Sequence, residues 1–483
     1  MMQVLSFKSR RVKSIFFVAG LICSMVIAYF TSLFGILAPA IAIALSIGVA
    51  FVASSLVNPR IAIIAYFIYC FLISGILKNT AGLPLGPLME ILLGLTWLAM
   101  LLHKSKYDWS EMKNDYVYIT LGWFILNLLE IVNPAGASLL GWLNEIRFTT
   151  LNWLLLAPLV SVLFNKRKDI NLFIIIIVLM SVVIALYGVK QLYIGVSPAE
   201  QQWLDDGADF THIVFGKLRV FSTCTDAGQF GASQAQMSLV ALVLALGPFK
   251  MWKKILLFLA AALLFYGMLI SGTRGALFAL ISAAFFAIFL SKNFKVLIIG
   301  SIISLGFIGF LKYTSIGSGV YQINRMRTAL DPKDASLNAR FMNQAKLKIV
   351  LRSMPFGGGV GVSGVNGTTY NADKLLSTIP PDSYWVKVWT MYGIVGLMVW
   401  FCINMYILGK CCGIVWSIRD DKLRAKLIAL TSGTAGLFFC SYGNEVMNGF
   451  PSSMILYMSW GFVLYAPKFD KKEEKLNLME VDI

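Results

Sequence analysis

The sequence predicts an all-α polytopic membrane protein, a bundle of about 12 to 14 transmembrane helices with one large polar loop. Its composition is the first reason. Of the 483 residues, 58% are hydrophobic and 13% are charged, whereas about a quarter of the residues in a soluble domain are charged. This number of charged residues is too small to cover the surface of a soluble protein of this size. Much of the apolar surface must therefore face lipid.

The length of the apolar runs is the second reason. A transmembrane helix needs about 20 mostly apolar residues, and roughly fourteen runs approach that length. They lie near residues 14–32, 35–56, 60–77, 86–103, 116–133, 147–164, 170–192, 232–248, 254–271, 274–291, 295–312, 383–408, 424–443 and 451–466.

The interruptions between these runs predict the organisation of the chain. We expect an N-terminal transmembrane bundle over residues 1–311, with short outer turns at 194–231 and 272–274. A polar loop that contains short helices follows over residues 312–382. C-terminal transmembrane helices over residues 383–466 and a cytoplasmic tail over residues 467–483 complete the chain.

The third reason is the position of the basic residues, which occupy the N-terminus and every second connection. These segments carry Lys8, Arg10, Arg11 and Lys13; Arg60; Lys104, Lys106 and Lys113; Lys166, Arg167 and Lys168; Lys250, Lys253 and Lys254; Lys292 and Lys295; Arg419, Lys422, Arg424 and Lys426; and Lys468, Lys471, Lys472 and Lys475. Lys and Arg mark cytoplasmic loops, so the pattern predicts that both termini are cytoplasmic and that the large loop lies outside. It also accounts for the formal net charge of +17 without a nucleic-acid partner.

Three of the outer segments nevertheless contain arginine. Arg219 lies in GKLRVFSTCTDAGQFGASQAQ together with Asp226, and Arg274 lies in the tight turn SGTRGALFAL. The large loop contains Arg325, Arg327, Arg340 and Arg352. Arginine binds phosphate through paired hydrogen bonds, so arginines converging at the membrane boundary suit an anionic lipid headgroup, above all a pyrophosphate. Pairing with Asp or Glu, or contact with membrane phosphates, is the alternative role for each of them.

The turn around Arg274 has two further features that suit an anion. Gly272 and Gly275 flank the arginine, so the backbone can approach a ligand closely. The turn also opens the following helix, whose N-terminal amides favour negative charge.

A transfer reaction at this face also needs a general base within hydrogen-bond distance of the attacking hydroxyl. The candidate outer carboxylates are those of Glu130, Glu145, Asp226, Asp382 and Glu445. Asp382 is the first candidate because it lies where the loop re-enters the membrane, in PPDSYW. Its alternative role is an N-cap of the following helix. Tyr384 could stack on a sugar, or it could belong to an interfacial aromatic belt.

We expect no metal and no cofactor. The seven cysteines form no CxxC pair, and the chain has only two histidines, His103 and His212, so the sequence offers no pattern of metal ligands. The stretch GVGVSG, Gly359–Gly364, fits the dinucleotide pattern GxGxxG. No βαβ unit surrounds it, however, and we interpret it as a flexible turn that returns the loop to the membrane.

Three patches resemble the O-antigen ligase and polymerase superfamily of bacterial envelope glycosyltransferases. The first is RVFSTCTDAGQFGA, and the second is SGTRGALFAL, close to the family's S-x-[ST]-R-[GA] turn. The third is NARFMNQAKLKIVLRSMPFGGGVGVSG, an arginine followed by P-x-G-x-G, and YWVKVWTMYGIVGL closes it. The patches occur in the family's order and extend from Arg219 to Leu397.

The resemblance implies transfer of a glycan from undecaprenyl pyrophosphate to a glycan or lipid acceptor, on the periplasmic face of the bacterial inner membrane. Neither a metal nor a nucleotide sugar takes part in the family's reaction. By resemblance, Arg219, Arg274 and Arg340 hold the pyrophosphate. Further possible substrate contacts are Asp226, Arg352 and Tyr384. The implied partners are the lipid-linked donor, the acceptor and the bilayer.

The sequence departs from the family just before the closing helix. Ligases of the family usually have His-Asn there, whereas this chain has Pro381 and Asp382. Asp382 is then our hypothesis for the base, and a repeat-unit polymerase of O-antigen, capsule or exopolysaccharide competes with the ligase function. A polysaccharide transporter or flippase, and a docking partner in an envelope complex, are alternatives of other classes. Transporters typically contain inverted repeats, and the sequence shows no internal repeat.

Overall fold

The computed structural model describes residues 17–481, apart from residues 19, 22–23, 26–27, 30, 34, 81–82, 293, 320, 329–330 and 332–334. The basic residues before Ser14 therefore lie outside the described part of the chain. Helices make up 78% of the structure, with almost no strand. The predicted all-α fold is confirmed.

Most of the described helices follow the predicted runs, although the run 147–164 gives only the 11-residue helix Asn152–Val162 and much of the run 14–32 lies outside the described residues. The first half of the chain contains α1 (Leu37–Val57), α2 (Pro59–Asn79), α3 (Leu88–Leu102), α4 (Asp115–Leu129), α5 (Leu139–Ile146), α6 (Asn152–Val162), α7 (Arg167–Tyr193), α8 (Pro198–Trp203) and α9 (Asp209–His212). A small hairpin of β1 (Ile213–Val214) and β2 (Lys217–Leu218) follows. The second half contains α10 (Ala227–Leu246), α11 (Met251–Ile270), α12 (Arg274–Leu290), α13 (Phe294–Tyr313), α14 (Tyr321–Thr328), α15 (Ala335–Leu351), α16 (Gly364–Tyr370), α17 (Tyr384–Ser417), α18 (Asp421–Cys440) and α19 (Ser452–Val481).

Eight helices in the described part of the chain are long and apolar enough to cross a membrane. They are Pro39–Val57, Pro59–Asn79, Asp115–Val132, Arg167–Tyr193, Ala227–Leu246, Met251–Ile270, Tyr384–Ser417 and Asp421–Cys440. Three shorter apolar helices accompany them, Leu88–Leu102, Arg274–Leu290 and Gly300–Tyr313. The polytopic membrane architecture is therefore confirmed, and the total of about 12 to 14 spans stays a prediction.

The chain forms two compact units. The first comprises residues 1–64 and 91–104, and the second comprises residues 65–90 and 105–483. In the first unit, α1 buries only 6% of its most apolar stretch. That exposure suits a helix whose whole surface faces lipid. All the candidate site residues lie in the second unit.

Helices α10 and α18 form the centre of the second unit, with 83% and 78% of their most apolar stretches buried. Small residues allow this close packing. Gly433 of α18 lies against Val240 and Gln236 of α10, and Gly436 lies against Ala279 and Ala283 of α12. The N-terminus of α12 is thereby held beside α10 and beside the end of α18.

The two ends of the second unit carry different side-chain contacts. At one end, which we call the loop end, α2, α7, α11, α13 and α18 finish and the segment 314–383 extends from the bundle. At the opposite end, the basic end, ion pairs join Arg167 to Asp420, Lys410 to Asp115 and Lys468 to Glu111. Arg167 and Lys468 belong to connections from which the sequence predicts a cytoplasmic orientation, and that orientation stays a prediction.

Three helices, α14 to α16, lie within the loop that follows α13. Helix α14 is docked on the bundle by Met326, which is buried against Leu277 of α12 and Leu311 of α13. Helix α15 is amphipathic and mostly exposed, and α16 follows the Gly-rich stretch. The loop is therefore anchored to the bundle at its beginning.

Residues 355–359 enter the bundle and repair a break in α17. Gly393 has left-handed φ (65°), which interrupts the hydrogen bonds of the helix. The amides of Gly358 and Gly359 donate instead to the carbonyl oxygens of Thr390 and Met391, at 2.9 and 3.0 Å. The amide of Val395 donates to the carbonyl of Pro355 at 3.2 Å. Buried backbone groups that lose their hydrogen bonds within a helix need other partners. Residues 355–359 of the loop supply these hydrogen bonds at the break.

The close approach of the two backbones requires glycine on both sides. Gly357 has φ of 74°, and a β-carbon there would overlap the Gly393 amide nitrogen and the Met391 carbonyl. A β-carbon at Gly393 would overlap the Pro355 carbonyl. The Gly-rich stretch is therefore an ordered part of the bundle, and the interpretation of Gly359–Gly364 as a flexible turn is wrong for its first residues.

Gly357→Ala is expected to lower the free energy of unfolding by about 2 to 4 kcal/mol, because it combines an unfavourable φ with overlap against backbone. The measurement is the thermal unfolding midpoint of the purified protein in detergent, followed by tryptophan fluorescence. Gly409→Ala, in the helix α17 that Gly357 packs against, is the control, since a β-carbon at Gly409 meets nothing within 4 Å. Equal midpoints for the two variants would contradict the proposed fit.

Candidate active site

Arg219 lies at the loop end, between β2 and α10. Its Nη1 donates to the carbonyl of Thr211 at 2.8 Å, and its Nη2 donates to Oγ1 of Thr273 at 3.2 Å. Its Nε is buried and has no hydrogen-bond partner among the described residues. Burial lowers the pKa of this guanidinium, and the nearby Arg325 lowers it further. The predicted proximity of Arg219 to the turn before α12 is therefore observed.

The segment around Arg219 is held by contacts from several elements. The amide of Val220 donates to the carbonyl of Ile270, at the end of α11. Lys78 of α2 donates to the carbonyl of Cys224 at 2.8 Å, and its Nζ lies 3.9 Å from the ring centroid of Trp203. The position of Arg219 thus depends on helices that precede and follow it by many residues.

The turn between α11 and α12 consists of Ser271, Gly272 and Thr273, and Gly272 has φ of 58°. The hydroxyl of Thr273 donates to the carbonyl of Ala227 at 2.7 Å and accepts from Arg219. Thr273 is also the N-cap of α12, but its side chain makes no capping bond. The positive end of the helix dipole thus lies at this turn, with Arg274 half-buried as the first helical residue.

Arg325 is a third arginine at this turn that we did not select from the sequence. A β-carbon on Gly272 would lie 3.5 Å from Cγ of Arg219 and 3.7 Å from Cγ of Arg325. Arg325 Nε donates to the Gly272 carbonyl at 3.3 Å. The hydroxyl of Tyr321, one helical turn earlier, is buried with no hydrogen-bond partner among the described residues. We call Arg219, Arg274 and Arg325 the arginine cluster.

Arg340 lies on the other side of the same helix end. Its Nη1 would be 3.9 Å from a β-carbon on Gly443, in the turn that follows α18. The next residue, Asn444, lies in direct contact with Gly275 in the first turn of α12. Arg340 is half-buried, whereas Arg352 is exposed just after α15. Of the two loop arginines predicted to bind substrate, Arg340 thus lies close to the turn.

Asp382 is exposed and has left-handed φ of 52°. The N-cap of α17 is Ser383, whose hydroxyl accepts from the Val386 amide, so the alternative role of Asp382 as a helix cap is wrong. Oδ2 of Asp382 accepts a hydrogen bond from Asn343 at 3.4 Å. Asn343 follows Arg340 by three residues and shares its helix face, which places Asp382 on the same side of α15 as Arg340.

Tyr384 and Asp226 have structural contacts at the starts of their helices. Tyr384 is 4% exposed and packs edge-on against Trp400, with ring centroids 5.7 Å apart. Oδ1 of Asp226 accepts from the Gln229 amide at 2.9 Å and caps α10. Packing explains Tyr384 and helix capping explains Asp226, and neither role requires a substrate. A contact of either residue with substrate stays a prediction.

His212 is buried beside the arginine cluster, and both of its ring nitrogens have partners. Nδ1 lies 2.9 Å from the carbonyl of Ala208, and Nε2 accepts from the Ala227 amide at 3.2 Å. The tautomer with hydrogen on Nδ1 satisfies both bonds. His212 is therefore explained by the packing of its own segment rather than as a replacement for the histidine that the family has in its loop.

A buried triad of Lys387, Glu145 and Glu445 lies close to the arginine cluster. Nζ of Lys387 is 2.9 Å from Oε1 of Glu145 and 2.5 Å from Oε1 of Glu445. The side chains of Lys387 and Glu145 are buried, whereas that of Glu445 is 31% exposed. Oε2 of Glu145 accepts from Asn366 of α16 at 2.7 Å.

We considered the two glutamates as outer carboxylates but missed Lys387. The sequence does contain an indication of its role: Lys387 lies in the first turn of an apolar helix, where a charged side chain requires a partner. Glu445 directly follows Asn444, which contacts Gly275. The triad and the arginine cluster therefore meet around residues 443–445.

Acidification is expected to destabilise the fold through His212. Burial lowers the pKa of His212 below its ordinary value of 6.5. The unfolded chain therefore binds a proton more readily than the folded one, so the free energy of unfolding falls as the pH drops through about 6.5 and below. The thermal midpoint should fall between about pH 7.5 and pH 5.5 in the wild type, and His212→Gln should reduce that fall. His103→Gln, the control, should keep it, and an unchanged pH dependence in His212→Gln would contradict this assignment.

No group of three or more His, Cys, Asp or Glu side chains that could hold a metal ion occurs among the described residues. Residues 259–401 match the family model Wzy_C, described as O-antigen ligase. The matched segment contains the turn at Arg274, the loop with Arg325 and Arg340, and the break in α17. No curated protein and no solved structure matches the chain. The match supports the resemblance of the motifs to the O-antigen ligase superfamily, which is thereby confirmed for residues 259–401.

Proposed function

We propose that the protein transfers an undecaprenyl-pyrophosphate-linked oligo- or polysaccharide to a glycan or lipid acceptor, as an O-antigen ligase does. The observation that carries this proposal is the arginine cluster at the N-terminus of α12. Three guanidinium groups surround one short turn, and a buried Nε of Arg219 and a buried hydroxyl of Tyr321 lack partners among the described residues. A buried donor without a partner is costly, and an anionic ligand here would supply the partner that the described residues do not.

In this proposal the arginines bind the pyrophosphate and stabilise the leaving group. Breakage of the bond between the sugar and the pyrophosphate places negative charge on the departing phosphate oxygen. Positive groups already fixed at that position lower the barrier more than groups that must reorient. Arg219 and Arg274 approach from the bundle, and Arg325 and Arg340 approach from the loop. The arginines supply the positive charge, and the reaction proposed is independent of metal.

The proposed orientation places the loop end on the periplasmic face of the inner membrane. Alternation of basic connections along the sequence supports it, and Arg167, Lys410 and Lys468 form their ion pairs at the basic end of the second unit. Both termini are then cytoplasmic. The donor's lipid tail lies in the outer half of the bilayer, with its pyrophosphate at the level of the turn before α12.

Asp382 is the base that the sequence predicts for the acceptor hydroxyl. Its support is the hydrogen bond from Asn343, which places it on the same side of α15 as Arg340. The Pro381–Asp382 pair, where ligases of the family usually have His-Asn, also favours a second candidate function. A polymerase that joins repeat units of O-antigen, capsule or exopolysaccharide uses the same donor and differs only in the acceptor.

Arg219→Ala and Arg274→Ala should each weaken binding of undecaprenyl pyrophosphate by roughly 10- to 100-fold, because each removes a charged hydrogen bond to phosphate. Binding is measured with the full-length protein in nanodiscs, and thermal unfolding confirms the fold of each variant. Arg424→Ala is the matched control, since Arg424 pairs with Asp421 at the basic end. Wild-type affinity in both cluster variants would remove the basis of the proposal.

Deletion of the gene separates the two candidate functions on surface-glycan gels. A ligase deletion should leave no acceptor that carries the glycan, because every chain passes through the transfer step. A polymerase deletion should leave acceptors with a single repeat unit. Complementation with the wild-type gene should restore the original pattern, and a gel identical to that of the parent strain would contradict both functions.

A further inference from the structure

We infer that Glu445 is the general base that takes the proton of the acceptor hydroxyl, and that Lys387 and Glu145 are the residues that position it. This inference rests on the proposed transfer reaction. It assigns the base to the bundle rather than to the loop, where the sequence suggests Asp382.

The charge of the buried triad is the first argument. Two carboxylates and one ammonium give a formal charge of −1, and two of the three side chains are buried. A buried net charge is unfavourable unless it is paired or neutralised. Uptake of one proton by Glu445 leaves a neutral pair of Lys387 and Glu145. The triad thus has one carboxylate more than it has cations, and Glu445 is its one partly exposed member.

The geometry of Glu445 is the second argument. Lys387 and Asn448 both contact Oε1, at 2.5 and 3.5 Å. No side chain among the described residues donates a hydrogen bond to Oε2. Gly364 lies beside this oxygen, since a β-carbon on it would be 3.6 Å from Oε2. One oxygen is thus fixed while the other, on a side chain that is 31% exposed, can meet an acceptor hydroxyl.

The position of Glu445 relative to the arginine cluster is the third argument. Asn444 contacts Gly275, directly beside Arg274, and Glu445 is the next residue. A sugar whose pyrophosphate lies at the cluster is therefore within a short distance of the triad. Asp382, in contrast, is exposed to water and accepts from the neutral amide of Asn343 at 3.4 Å, whereas Glu445 pairs with the charged Lys387 at 2.5 Å. The triad offers the better ordered carboxylate.

The proposed step is balanced. The acceptor oxygen forms a bond to the anomeric carbon of the donor sugar, and the bond from that carbon to the pyrophosphate oxygen breaks. The electron pair of the broken bond leaves with the pyrophosphate, at the arginine cluster. The hydroxyl proton moves to Oε2 of Glu445 and is later released to water through the exposed side of this group.

Glu445→Gln tests the role of the base. Gln has the same shape and leaves the Lys387–Glu145 pair neutral, so the fold is retained. The rate of glycan transfer, measured in membrane vesicles from the deletion strain that express each variant, should fall by about 100-fold or more. Affinity for undecaprenyl pyrophosphate in nanodiscs should stay at the wild-type value. Asp373→Asn is the control, because Asp373 is another acid at the loop end, in the large loop, and its side chain is 76% exposed.

A double variant tests the positioning residues. Lys387→Met alone leaves the buried Glu145 and the partly exposed Glu445 without their cation and is expected to unfold readily. Lys387→Met combined with Glu145→Gln restores the formal charge of −1 on Glu445 alone and should recover the thermal midpoint. If Lys387 positions Glu445, the double variant stays slow in transfer with unchanged donor affinity. Recovery of both stability and rate would show a purely structural role and overturn this part of the inference.

The remaining outcomes separate this inference from the proposed function. Full transfer by Glu445→Gln overturns the assignment of the base and leaves the transferase intact. Loss of transfer in Asp382→Asn but not in Glu445→Gln returns the base to the loop. Loss of undecaprenyl pyrophosphate binding in Glu445→Gln also overturns it, because the residue then serves binding. Wild-type vesicles that transfer no glycan overturn the proposed function and, with it, the inference.

Discussion

The whole loop end depends on one constraint, the need of buried backbone groups for hydrogen-bond partners. Inside a bundle surrounded by lipid no water is available to satisfy them, so a helix can break only where another segment supplies donors and acceptors. The break at Gly393 lies nine residues after Tyr384, or about 13 Å along the helix. Residues 355–359 must therefore enter the bundle to that depth. Because they do, the chain that follows places Gly364 beside Lys387 and Asn366 beside Glu145.

The charges at the loop end divide into a positive and a negative part, and the division suits a displacement reaction. The arginine cluster surrounds the turn before α12, while the buried triad has an excess of one negative charge. Residues 443–445 connect the two parts, with Arg340 near Gly443 and Lys387 bound to Glu445. In the proposed reaction one part receives the leaving group and the other receives a proton. The negative group beside the acceptor hydroxyl and the positive groups beside the leaving phosphate both favour transfer of the sugar to the acceptor.

The sequence predicts the helices well because apolar runs and basic connections are local signals. It also predicts that Arg219 and Arg274 lie close together, because both suit binding of one pyrophosphate. The hydrogen bond from Arg219 to Thr273, which joins the two segments, has no signal in the sequence. Arg325 was one of several loop arginines, and only the burial of Met326 against α12 and α13 brings it to Gly272. Lys387, Glu145 and Glu445 come from three separate segments, so no spacing in the sequence could join them. The cap of α17 was misplaced by one residue, since Asp382 and Ser383 are both good capping residues.

The departure from the family at Pro381–Asp382 has a physical consequence in this fold. The closing end of the loop is held by backbone contacts, because the Tyr384 amide donates to the Ser441 carbonyl and Ser383 caps α17. Asp382 itself is exposed between these fixed points, in a left-handed conformation. A base at that position would have to be ordered by the substrate. Glu445 is ordered before any substrate arrives, because Lys387 and Asn448 hold one of its oxygens. Preorganised groups lower a barrier without reorganisation during the reaction. In the proposed reaction the base therefore belongs to the turn after α18, and the loop contributes to donor binding through Arg325 and Arg340.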